Sequence, residues 1–153
     1  MWQHFISRLG FRNIYQGGQI TGFQFKIHIP YYRGVFISVI SDNFSVNVDG
    51  ESFGLDKVSL KIGDRIIPWS QVDASYDVFW VFGELATVIV EKPGGLTPGL
   101  HTVECGMCIR KSYGALIDPE GLLDRGLPKS WDEYVYSPIA QLQVASQQMT
   151  LVM

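Results

Sequence analysis

The eight residues GFQFKIHI, Gly22–Ile29, decide the fold. Phe23, Phe25, Ile27 and Ile29 occupy every second position, with Gln24, Lys26 and His28 between them. Side chains of a strand alternate between two faces, so this pattern predicts a half-buried β-strand with its aromatic face in a core. Directly after it comes PYYRGVFISVI, Pro30–Ile40, in which two tyrosines, an arginine and a glycine precede an apolar run that reads as a buried strand.

The same alternation recurs outward from this stretch. In FSVNVDGESF, Phe44, Val46 and Val48 alternate with Ser45, Asn47 and Asp49 up to an Asp49-Gly50 step, a dipeptide favoured where a tight hairpin needs positive φ. KVSLKI, RIIPW, DVFWVF, ATVIVE and HTVECGMCIR follow, then a C-terminal pair of strands near IAQLQV and QMTLV. Intervals of roughly eight to twelve residues with Gly and Pro punctuation are those of sandwiches and barrels. KPGGLTPG, Lys92–Gly99, reads as a long surface turn.

The expected architecture is therefore all-β: two antiparallel sheets packed face to face in a single β-sandwich domain spanning 1–153. Phe25, Val46, Val58, Phe79 and Val88 are the expected inward residues. Residues 1–20 read as an N-terminal extension. The segment Tyr113–Tyr136 breaks the alternation and reads as a long excursion in which Ser130 and Glu133 could cap a short helix starting near Trp131.

The chain has 153 residues, 46% hydrophobic, 13% aromatic and only 18% charged, with a formal net charge of −3. A globular average has about 25% charged residues, so disorder is disfavoured. Basic residues occur singly or in pairs such as Arg110-Lys111, which argues against a nucleic-acid partner. No apolar run approaches the roughly 20 residues of a membrane span, and MWQHFISRLGFRN lacks the features of a signal peptide. A soluble, cytoplasmic protein with no membrane partner is expected.

Catalytic constellations are sparse. Cys105 and Cys108 form CGMC, but the surrounding HTVECGMCIR alternates as a strand, and a three-residue offset sends the two side chains to opposite faces. No second CxxC or His pair completes four zinc ligands, so core packing or idle thiols are favoured over redox or metal chemistry. His4, His28 and His101 lack the spacing that puts two imidazoles on one metal, and are read as solvated or structurally hydrogen-bonded. The carboxylate pairs Asp118/Glu120 and Asp132/Glu133 have ordinary explanations as solvated loop acids and first-turn helix acids. PGGLTPG lacks the lysine and following helix of a phosphate loop.

Two groups of residues remain. In Tyr31, Tyr32, Arg33 and Gly34 the guanidinium offers five donors in a planar fork, the tyrosines offer contact area, and the glycine permits close backbone approach. Arginine and tyrosine are typical interface anchors, and an aromatic-flanked strand entry is the plain alternative. Trp69, Trp80 and Trp131 suit a core or an interface better than a sugar platform, since Trp80 sits within VFWVF and Trp69 follows a proline at a strand end.

FQFKIHIPYYRGVFIS, SVNVDGESF, the strands around IPW and DVFWVFGELATVIVEKPGGL, and the closing PGLHTVECGMCIRKSYG together resemble the small β subunit of bacterial C-glycoside deglycosidases. The likeness runs from about Phe23 to Tyr113. Its most specific parts are PYYRG before a strand, a V-D-G turn, and a late L-x-x-G-x-H-x-V pattern made here by Leu96, Gly99, His101 and Val103.

The resemblance implies a heteromeric enzyme that cleaves the carbon–carbon bond between a 3-oxo sugar and an aromatic aglycone. A larger subunit resembling a xylose-isomerase-type TIM barrel would carry a divalent metal, usually manganese, and the acid-base residues. This chain would be its β-sandwich partner, with no metal or catalytic residue of its own. Tyr31, Tyr32, Arg33, Gly34, Trp80 and Trp131 would then lie at the interface or near the substrate, while His28, His101 and Asp49 would be minor contributors at most. The competing expectation is a stand-alone carbohydrate-binding β-sandwich in which Trp69, Trp80 and the tyrosines line a sugar groove.

Overall fold

A computed structural model describes residues 4–31, 33–40, 44–109 and 142–152. Eleven strands appear among them: β1 Ile6–Gln16, β2 Gln19–Ile27, β3 Val35–Phe36, β4 Ser45–Val48, β5 Glu51–Phe53, β6 Val58–Ile62, β7 Arg65–Pro68, β8 Phe79–Trp80, β9 Ala86–Glu91, β10 Gly99–Cys108 and β11 Leu142–Leu151. They form a five-stranded sheet β1-β2-β9-β6-β7, a four-stranded sheet β11-β10-β4-β5 and a two-stranded ribbon β3-β8, with every pairing antiparallel. The all-β sandwich read from the alternation is the architecture found.

The core lies between the two large sheets. Phe23, Phe25 and Ile27 of β2 and Val88 and Val90 of β9 meet Val46 and Val48 of β4 and Val103 and Cys105 of β10 in one buried cluster. Burying each such side chain contributes about 1.5–3 kcal/mol, which makes this cluster the main source of stability. The opposite face of β2 is less wet than the alternation implies. Gln24 is buried and donates its side-chain N–H to the Gly10 carbonyl at 3.1 Å, while His28 is exposed.

The Asp49–Gly50 turn forms as expected, with φ of 53° and 86° and the flanking pair Val48↔Glu51, the geometry of a two-residue hairpin. Four expectations are corrected. Residues 4–20 are no appendage: β1 pairs with β2 through a Gly17–Gly18 turn, and Phe5, Ile6 and Phe11 enter the core. A register shift between Ser7 and Arg12 interrupts the period of two, which hides the strand from a pattern reading.

GVFISVI is mostly not a strand. After Val35–Phe36 it tightens into a 3₁₀ turn, Ile37–Ile40, whose residues are all buried, so an apolar run alone did not distinguish the two. Phe79 is 44% exposed because DVFWVF alternates in the other register: Val78 and Trp80 point inward, and Phe79 points out. The C-terminal pair is one continuous strand, β11, paired with β10 from Gly99↔Leu151 to Cys108↔Leu142. The Tyr113–Tyr136 excursion, with its Ser130, Trp131 and Glu133, lies outside the described residues.

Candidate interface: an arginine-flanked aromatic ribbon

The PYYRG motif feeds straight into the β3-β8 ribbon. Val35 pairs with Trp80 and Phe36 with Phe79, and the Ile37 N–H donates to the Val78 carbonyl at 3.0 Å to continue the contact. Gly34 is required by this approach. A Cβ built there would stand 2.7 Å from Phe79 ring atoms and 2.7 Å from the Trp80 carbonyl oxygen. Trp80 itself is fully buried and donates its indole N–H to the Glu84 carbonyl at 2.9 Å. Of the expected interface residues, the structure brings Arg33, Gly34 and Trp80 to this one ribbon; Tyr31 is half-buried and packs on the core. Arg33 is half-buried, with its Nε enclosed. Tyr32 and Trp131 lie outside the described residues.

The outer side of the ribbon and its continuation are apolar and exposed. Phe36, Phe79, Val81 and Phe82 are each between 44% and 55% exposed, and Phe36 and Phe79 meet edge to face with ring centroids 5.0 Å apart. Tyr76, just before β8, is 73% exposed. Isolated exposed apolar residues are ordinary, but a run of aromatics beside an arginine has the composition of a protein contact. The sequence reading placed Phe79 in the core and did not single out Val81 or Phe82. The available signal was the run itself, since five consecutive apolar residues on a strand cannot all face one way.

The other motif residues meet elsewhere. Asp49, from the V-D-G turn, and His101, from the L-x-x-G-x-H-x-V pattern, contact each other through Oδ2 and Nδ1 at 2.5 Å. His101 Nε2 faces the Thr97 carbonyl at 2.6 Å, and the Thr102 N–H donates to Asp49 Oδ1 at 2.8 Å. The Thr102 N–H and the His101 ring hold the Asp49 carboxyl below its ordinary range. Burial works against a charged His101, but the Thr97 carbonyl and the Asp49 carboxylate outweigh it and raise the imidazole above its ordinary 6.5.

Leu96 of the same pattern is clamped by buried Asn13. The amide Nδ2 donates to the Leu96 carbonyl at 2.8 Å, and the Leu96 N–H donates to Oδ1 at 2.9 Å. These family-like motifs are thus joints of the sandwich. His101 is a structurally hydrogen-bonded histidine.

Cys105 and Cys108 are both buried, and burial pushes the Cys105 thiol far above its ordinary value. Such a thiol has little thiolate to offer as nucleophile or ligand. Among the described residues no three of His, Cys, Asp and Glu are grouped to hold a metal. No helix among them is long and apolar enough to cross a membrane. Trp69 is 7% exposed and stacks on Phe44 with ring centroids 4.2 Å apart. The aromatic platform expected of a glycan-binding face is therefore not displayed by Trp69 or Trp80.

Fold and ribbon define an antiparallel β-sandwich that displays an exposed aromatic surface along β3 and β8. Residues 1–113 match the family described as C-glycoside deglycosidase beta subunit. A Eubacterium cellulosolvens protein named C-glycoside deglycosidase beta subunit is 37% identical over 123 residues, which cover 80% of this chain and 83% of that protein. The chain belongs to the C-glycoside deglycosidase beta subunit family. The match begins at residue 1, so the family likeness includes β1 as well as the stretch from Phe23.

Proposed function

We propose that this chain is the noncatalytic beta subunit of a heteromeric C-glycoside deglycosidase, docked to a larger TIM-barrel subunit. The enzyme would cleave the carbon–carbon bond between a 3-oxo sugar and an aromatic aglycone, a lyase reaction of the cytoplasm. The observation that carries this reading is the exposed Phe36, Phe79, Val81 and Phe82 surface next to Arg33. A permanent subunit contact resembles a domain core cut in half, with aromatic and arginine anchors at its centre.

In this reading a divalent metal such as manganese belongs to the larger subunit, where it would supply charge stabilisation to an enolate-like species. No step of the reaction falls to a residue described here. This subunit contributes surface: Tyr31, Tyr32, Arg33, Gly34, Trp80 and Trp131 form or support the contact, and the aromatic ribbon seals it against water.

The test is assembly. The tagged chain, purified gently from its native host, is expected to bring down a larger, metal-containing subunit in stoichiometric amount. Arg33→Ala should weaken that association by on the order of 2 kcal/mol, about thirtyfold in the dissociation constant. An Arg33→Ala chain that assembles and supports turnover like the wild type would remove Arg33 from the interface. A metal-free monomer with no partner would sink the subunit reading.

A further inference from the structure

We propose that Asp49 and His101 form a pH-sensitive latch, an imidazolium cross-link that fastens the β4–β5 turn and the Lys92–Gly99 loop to the start of β10. The inference stands apart from the deglycosidase reading, since it uses neither the ribbon nor a partner.

The geometry requires two protons on one ring. Nδ1 faces a carboxylate oxygen at 2.5 Å and Nε2 faces a backbone carbonyl at 2.6 Å. A carbonyl oxygen only accepts, and the Asp49 carboxylate already accepts the Thr102 N–H on its other oxygen at 2.8 Å. A neutral imidazole has one N–H, so one of its nitrogens would set a lone pair against an oxygen lone pair at hydrogen-bond distance. Only the imidazolium donates to both. The backbone reinforces the joint, because the Asp49 N–H donates to the Thr102 carbonyl at 2.9 Å.

Asp49 is the charged partner at this site. From β1 the neutral ring of Phe11 meets the imidazole edge on, with centroids 6.1 Å apart, and from β11 the residue paired with His101 is the neutral Met149. Lys92, at the other end of the loop, is held by Glu51 and lies over the Phe53 ring. Arg8 shares a surface hollow with Leu100 and Met149 and, as a second cation, can only oppose the imidazolium. The side chain of His101 is 8% exposed, but that of Asp49 is 48% exposed, so solvent protons have a route to the pair.

Both signs follow from linkage. His101 is raised in the fold, so its stabilisation is complete below 6.5 and is lost as pH rises through the folded value. Asp49 is lowered, so its share is complete above 3.8 and is lost as pH falls through the folded value. The latch is strongest between these limits. When His101 deprotonates at high pH, the remaining N–H serves the carboxylate and the Thr97 contact turns repulsive. The loop is released at Thr97 while Asn13 still holds Leu96.

Two-bond proton–nitrogen NMR on the full-length chain reads the ring directly. Expected are two protonated ring nitrogens at pH 6, a His101 midpoint above 6.5, and amide exchange in the Thr97–Thr102 stretch that accelerates about tenfold beyond EX2 pH scaling once the midpoint is passed. Asp49→Asn should bring the midpoint down to the ordinary value or below. A single neutral tautomer at pH 6, or a midpoint that ignores Asp49→Asn, would overturn the latch. If that variant fails to fold, the wild type decides alone: its urea midpoint must fall as pH rises from 6.5 through the His101 midpoint, and a flat or rising profile refutes the proposal.

Discussion

Gly34 carries more of this site than its size suggests. Its missing side chain lets β8 lie against the PYYRG turn, with Phe79 and the Trp80 carbonyl 2.7 Å from where a Cβ would sit. Gly34→Ala must push either a ring or a strand backbone aside, and overpacking of this kind costs about 1–3 kcal/mol. A urea midpoint unchanged by Gly34→Ala would show that the ribbon yields freely. Asn13 works at the same scale on the other side of the sandwich. It makes both bonds of its clamp from a position only 5% exposed, so Asn13→Ala leaves the Leu96 N–H and carbonyl short of their partners. That change should lower stability by about 1–3 kcal/mol in a denaturant titration.

Among the elements, β1 matters most for how the chain can be cut. It pairs with β2 at Ile6–Ser7 and again at Arg12–Gln16, and with it Ile6, Phe11 and the preceding Phe5 enter the core. Truncation to Gly17 would remove that apolar surface and bare the backbone of β2, leaving a long hydrophobic edge of the kind that aggregates. The truncated chain is expected to be insoluble or to lose cooperative thermal unfolding. A well-folded, soluble product would mean that β2 can end the sheet alone. The β3-β8 ribbon is the opposite kind of element. Its two strands have two residues each, so its place is set by the buried Val35 and Trp80 rather than by its ladder.

For the whole molecule, the exposed ribbon predicts how assembly responds to salt. An interface centred on Phe36, Phe79, Val81 and Phe82 buries apolar area, a term that screening by salt does not reduce. Its dissociation constant should change less than about tenfold between low and moderate ionic strength, measured by calorimetry on the two subunits. A steep loss of affinity with salt would place the contact on charged residues instead. Arg65–Asp77 and Lys92–Glu51 are surface ion pairs with N···O distances of 3.4 Å, which add little to stability.

The sheet-forming alternation of GFQFKIHI and the Asp49-Gly50 turn were readable from the chain, because strand periodicity and turn chemistry are local properties. PYYRG stood out by residue type alone, since arginine and tyrosine are typical anchors. The β1 strand was obscured by a bulge, although the Gly17-Gly18 pair was a hairpin signal in plain view. Whether Phe79 or Trp80 faces solvent depends on the register that β8 takes against β3, and a shift of one residue exchanges every side chain between faces. The meetings of Asp49 with His101 and of Asn13 with Leu96 join residues 52 and 83 positions apart. Sequence by itself determined the all-β class and the family; only the tertiary structure decided which residues became joints and which became surface, because long-range pairing sets both.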